Sequence, residues 1–188
     1  MKRLKKSKYP NIEAKEYQRD NDGRIIVDMN VKDDTDFLSV FSASDTPVIS
    51  SDVAEFLENS THSIRPDEQL TLRVKSACID ETEQRIYKAA IKEYYTEKYR
   101  VNERELKIQN IIALLLAVLG TLVLVFAVFL DYYVKSIVWA EVIDIVAWVF
   151  LWEAVDIKFF KTRELALQRK RYAMLIYMKI RYERTTVG

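Results

Sequence analysis

The chain has 188 residues, 29 Lys plus Arg against 28 Asp plus Glu, a formal net charge of +1 and 49% hydrophobic residues. One Cys excludes an intramolecular disulfide scaffold and suits a reducing compartment, one His beside one Cys excludes a His–Cys metal cluster within a chain, and three Gly with three Pro exclude collagen-like and low-complexity architectures. The near-neutral total is a cancellation: residues 2–8 carry five cations and no anion, residues 20–68 carry twelve acids against Arg24, Lys32 and Arg65, and residues 158–184 carry nine cations against Glu164 and Glu183.

Residues 1–20 are polar and aperiodic, which predicts a basic mobile arm, and no apolar stretch follows the opening cations as a cleavable signal would require. Asn21-Asp22-Gly23 is a turn signal. Arg24 to Val31 then predicts a strand, because Ile25, Val27, Met29 and Val31 alternate with Ile26, Asp28 and Asn30. Asp33, Asp34 and Asp36 mark a loop. A helix is expected from about Asp52 to Ser60, capped by Ser50 or Ser51, with Val53, Phe56 and Leu57 on one face. Ile64-Arg65-Pro66-Asp67 reads as a turn and Gln69 to Ser76 as a second strand with period two. Residues 21–79 therefore predict a small α/β domain.

Asp80 opens a capping box with Glu83, and nothing from Glu81 to Leu130 breaks a helix except Gly120. Residues 80–110 predict a charged stalk helix. From Ile111 to Leu130 no residue is charged, and 20 residues at about 1.5 Å each match a hydrocarbon core of about 30 Å. After Asp131-Tyr132-Tyr133-Val134-Lys135-Ser136 a second apolar segment runs from about Ile137 to Ile157, so residues 111–157 predict a two-helix transmembrane hairpin. Lys98, Arg100, Arg104 and Lys107 precede it, Lys135 alone lies in its loop, and Lys158, Lys161, Arg163, Arg169, Lys170 and Arg171 follow it. This distribution predicts a multi-pass protein of the plasma (inner) membrane with the α/β domain and both termini in the cytoplasm. Residues 158–188 are expected to hold a C-terminal basic amphipathic helix running to about Arg184. The fold class is thus mixed α+β with a membrane part.

The second span carries Glu141, Asp144, Glu153 and Asp156, and a carboxylate at mid-bilayer costs about 2.5 to 3.5 kcal/mol on insertion scales. Folding the hairpin about residues 131–136 sets Asp156 opposite Ile111, one turn from Lys107, which predicts an ion pair. It sets Glu141 and Asp144 opposite Phe126 and Val123, so these two must reach the outer interface, take up protons, meet another subunit or line water. Ala113, Ala117 and Thr121 form a small-residue stripe for helix packing. The six cations Lys158, Lys161, Arg163, Arg169, Lys170 and Arg171 are candidate contacts for anionic lipid, at about 1 kcal/mol each near the surface. Docking on the acidic 20–68 region is the alternative, and nucleic acid is not expected, since the positive-inside pattern already accounts for these charges.

The stretch Trp-Val-Phe-Leu-Trp-Glu-Ala-Val-Asp-Ile-Lys-Phe-Phe from Trp148 to Phe160, followed by Arg169-Lys170-Arg171-Tyr172, resembles a signature of an uncharacterised family of small bacterial two-span inner-membrane proteins. Pro47 to Ser76 is similar too. The resemblance implies a bacterial inner membrane and brings no activity or site with it. His62 alone cannot supply a His-based triad, the 28–36 aspartates lack the Gly and terminal Glu of a calcium loop, and Gly23, Gly120 and Gly188 are too scattered to cradle phosphate. No enzyme activity and no cofactor or metal are expected. The expected function is a membrane-anchored cytoplasmic interaction or regulatory module, with the lipid bilayer, a cytoplasmic protein and further copies of the chain as partners. The alternative is an oligomeric ion-conducting or membrane-permeabilising effector with a cytoplasmic sensor domain.

Overall fold

The turn before the first strand is built on Asp20, whose carboxylate accepts the backbone N–H groups of Asp22 and Arg24 at 2.9 and 3.0 Å, and on Gly23, whose φ of 77° lies in the left-handed region. The computed structural model describes residues 16–43, 45–134 and 137–184, with the backbone alone at 134 and 137–140. The turn leads into β1, Ile25–Val31, where Ile25, Val27 and Met29 are buried while Asp28 and Asn30 are exposed. Residues 1–15 of the expected arm lie outside the described residues. Its last residues edge the sheet, because the Gln18 carbonyl accepts the Ile26 N–H at 2.8 Å and Arg19 bridges to Ile25.

Helix α1, Ser51–Thr61, starts where the Ser50 hydroxyl accepts the Val53 N–H, and it buries Ala54 and Leu57. Strand β2, Leu70–Ser76, then runs parallel to β1 in a register from Ile25 with Leu70 to Val31 with Ser76. At Asp80 the capping box closes in both directions. The Asp80 carboxylate accepts the Glu83 N–H at 2.7 Å, and the Glu83 carboxylate accepts the Asp80 N–H at 2.8 Å. Helix α2, Glu81–Val134, continues unbroken for 54 residues, about 80 Å at 1.5 Å per residue. Helix α3 spans Ile137–Asp156, a π-helical turn follows at Ile157–Lys161, and α4 spans Thr162–Ile176.

The basic tail departs from expectation. Its helix stops at Ile176, and Lys179–Arg184 form β3, which pairs parallel with β2 from Thr71–Lys179 to Ser76–Arg184. The reason lies in the two periods the tail satisfies. Leu175, Ile176 and Ile180 fit a helical face, but Ile180 and Tyr182 also alternate with Lys179, Arg181 and Glu183, and the unpaired edge of β2 rewards the second pattern. The Tyr182 hydroxyl donates to the Gln84 carbonyl at 3.2 Å and ties the strand to α2.

The sheet order is β1-β2-β3. One face carries Ile25, Val27, Met29, Leu70, Leu72 and Val74, packed with Leu57 of α1, Tyr87, Ala90, Ile91 and Tyr95 of α2, and Met174 and Leu175 of α4. The opposite face is a charge ladder in which Arg73 bonds Asp28 on β1 and lies 4.0 Å from Glu183 on β3. A parallel sheet is usually covered on both sides. Here ion pairs across the strands take the place of a second helical layer.

Candidate functional site

The α/β unit draws its core from both sides of the apolar helices, so the segments leaving and re-entering it define the most distinctive region of the molecule. Where α2 leaves the core, Lys98 donates to the Glu58 carboxylate at 2.6 Å and lies 5.0 and 5.8 Å from the Tyr94 and Tyr172 ring centroids. Burial is the largest single influence and opposes the Lys98 charge, yet Glu58 and Tyr94 together outweigh it and hold the ammonium above its ordinary pKa. Tyr95, also raised by burial, donates its hydroxyl to the Ala54 carbonyl at 3.2 Å. These contacts clamp α1, α2 and α4 together at the base of the stalk.

Beyond the clamp α2 stays in contact with the returning chain. Asn102 donates to Gln168 at 3.3 Å, Lys158 donates to Asn110 at 2.6 Å, and Gly120 lies against Ala147 and Leu151. A Cβ on Gly120 would stand 2.9 Å from Leu151 Cγ and 3.2 Å from the Ala147 carbonyl oxygen. Beyond the clamp, the buried positions on α2 are Asn102, Leu106, Ala113, Gly120 and Ala127, and those on the described part of α3 and the π-helical turn after it are Ala147, Ala154 and Ile157. Leu106, Ala113, Gly120 and Ala127 recur every seventh residue, which is the period of a left-handed helix pair, and the small size of the last three brings the backbones close. The four-residue stripe expected from the sequence is not this seam. Ala113 belongs to it and Ala117 is half-buried, but Thr121 is exposed and donates to its own helix at the Ala117 carbonyl.

The outside of the helix pair is apolar. Leu114, Leu115, Leu122, Val125 and Val128 on α2, with Ile145, Trp148, Val149 and Trp152 on α3, are each 61% to 72% exposed. Among the described residues one helix, α2, is long and apolar enough to cross a membrane. Tyr132 and Tyr133 stand exposed at its end, and Lys135 and Ser136 lie outside the described residues.

The four acids of α3 are not gathered into a cluster. Glu141 is exposed and Asp144 half-buried, and neither has an ion-pair partner among the described residues. Glu153 pairs with Lys161 at 3.3 Å. The expected pair between Asp156 and Lys107 does not form. Lys107 instead meets Glu103 at 3.1 Å on its own helix, a local Glu-before-Lys spacing that needs no interhelical reach. Asn110 and Lys158 supply the polar contact between the helices at that level, a role that sequence reasoning missed.

The cations divide by position. Lys158, Lys161 and Arg163 lie where the apolar exterior ends, all exposed. Lys170 and Arg171 reach the connection after α1, Lys170 to Asp67 at 3.2 Å and Arg171 to His62 Nδ1 at 3.1 Å, while Arg169 is half-buried. Among the described residues no three His, Cys, Asp or Glu side chains stand close enough to hold a metal ion. No family model, curated protein or solved structure matches the chain.

Proposed function

We propose that the chain is a membrane-anchored interaction or regulatory module, with α2 and α3 forming a transmembrane hairpin in a bacterial inner membrane and the α/β domain held in the cytoplasm. One observation carries this reading: β2 and β3 are neighbours in one sheet although the whole apolar excursion lies between them in the chain. A folded sheet lies on one side of a membrane. A chain that leaves through α2 must therefore return before Lys179, and the number of crossings is even. The return falls to α3 despite its acids, which sit toward its two ends, leaving Val146 to Leu151 uncharged at its centre. Lys158, Lys161 and Arg163 then meet the cytoplasmic headgroups, while the paired helices from Lys98 to Asn110 hold the domain off the surface by about 18 Å at 1.5 Å per residue.

The docking surface of such a module is the tip at Val40 and Phe41, which are 83% and 94% exposed. The tip follows β1 and lies at the end of the domain remote from the apolar helices, since Phe37 stacks on Tyr87 in the second turn of α2 with ring centroids 4.2 Å apart. The lone, exposed Cys78 provides the test of the anchor. A membrane-impermeant maleimide is expected to label Cys78 in inverted vesicles only, and a cysteine at Asp131 in a Cys78→Ser background in right-side-out vesicles only. Labelling of both sites from one side would end this reading.

The second reading, an oligomeric ion-conducting effector, rests on Glu141 and Asp144 having no ion-pair partner among the described residues. It predicts that Glu141→Gln with Asp144→Asn lowers cation flux in liposomes, and equal flux removes it.

A further inference from the structure

At the level where α2 and α3 pass from apolar to charged sequence, their seam opens into a groove of about 350 Å³. Its floor is made by Ala113 and Ala117 of α2 and by Leu151 and Ala154 of α3, and Asn110 and Lys158 close its charged end. Leu114, Val155 and Phe159 form its walls, and the alanines keep the floor low between them. Lys158 is drawn toward the groove by its 2.6 Å bond to Asn110 Oδ1, which uses one of its three N–H donors and leaves two free. Among the described residues no carboxylate lines the groove. Glu153 and Asp156 stand about 150° around α3 from the Leu151–Ala154–Val155 face at 3.6 residues per turn, and Glu153 is engaged by Lys161. An apolar channel thus ends at an uncompensated cation, at the depth where a bilayer changes from acyl chains to phosphates.

We propose that this groove binds one anionic phospholipid, with an acyl chain along the alanine floor and the phosphate accepting hydrogen bonds from Lys158 Nζ. The site rests on the membrane-anchored reading above. A basic site between spans on the cytoplasmic side favours anionic headgroups, because a zwitterionic lipid brings its own cation next to Lys158. The expected preference is about fivefold, equivalent to about 1 kcal/mol.

The test is native mass spectrometry of the full chain, extracted in mild detergent from vesicles of phosphatidylcholine mixed with phosphatidylglycerol. Wild type is expected to retain phosphatidylglycerol about fivefold over phosphatidylcholine. Lys158→Gln brings that ratio close to one, Ala117→Leu fills the groove and lowers retention of both lipids, and Arg104→Gln, an exposed stalk cation off the groove face, changes neither. Lys158 is exposed, so its replacement by Gln leaves no cavity in the helix seam, unlike the overpacking expected of Ala117→Leu. Equal retention of the two lipids by wild type overturns the site. So does an Arg104→Gln effect as large as that of Lys158→Gln, which would mean diffuse surface charge. A membrane-bound chain without lipid preference removes this site alone, whereas a chain recovered in the aqueous fraction of cells removes the anchor with it.

Discussion

Gly120 sits where a methyl group has no room. Replacing Gly by Ala inside a helix ordinarily gains about 1 kcal/mol of propensity, but the new Cβ would stand 2.9 Å from Leu151 Cγ and close to the Ala147 backbone, and overpacking costs about 1 to 3 kcal/mol. Gly120→Ala is therefore expected to lower the thermal midpoint of the full chain in detergent, and Gly120→Ala with Leu151→Ala to regain part of the loss. In the sequence Gly120 is visible only as a possible break; its seven-residue spacing from Ala113 and Ala127 competes with the equally plausible Ala113, Ala117, Thr121 stripe. Small residues lie on several faces of α2, and only the partner helix selects one. A second residue-level effect concerns acid. The hydrogen bond from Arg73 holds the Asp28 carboxyl below its ordinary range against burial, as Thr71 does for Asp20 and Arg19 for Glu68. A folded pKa below the unfolded value, about 3.9 for Asp, contributes stability above that pH and loses it as pH falls through the folded pKa. Denaturant midpoints are expected to drop below about pH 4, and Asp28→Asn to make that fall shallower.

Strand β3 decides the behaviour of the α/β unit at the level of elements. It covers the second edge of β2, half-buries Ile180 and Tyr182 against the core, and burial there pushes the Tyr182 phenol up to about 12. Deleting residues 179–188 is expected to leave β2 with an open edge, so amide exchange in Leu70–Ser76 should accelerate while the chain still sediments with membranes; unchanged protection would show that β3 contributes little. The local elements β1, α1, β2 and the start of α2 were legible to within a residue or two, because their turns, caps and periods are complete in short windows. The tail was not, because six residues that satisfy period two also extend a helical pattern. What separates the readings is an unpaired strand edge contributed by residues far away in the chain.

For the whole molecule, the proposed membrane arrangement would make topology and folding one problem. Removing α3, residues 137–156, is expected to carry a reporter fused after Arg184 to the outer side of the membrane and to leave the domain unfolded, readable as reporter activity together with protease sensitivity. A reporter that stays inside would mean that α2 does not cross. The charges bracketing the apolar segments were legible from composition alone, whereas the sheet spanning them was not, since pairing across such a separation leaves no mark in a local window. Tyr182 and Gln84, which meet in the structure, are 98 residues apart in sequence. Closing so long a loop is slow for a free chain. The paired helices bring its ends together, so the last strand made is delivered to a waiting edge. In the proposed membrane arrangement, a copy whose second helix failed to return would display a bare β2 edge to cytoplasmic proteases, and the soluble domain would proofread the insertion of its own anchor.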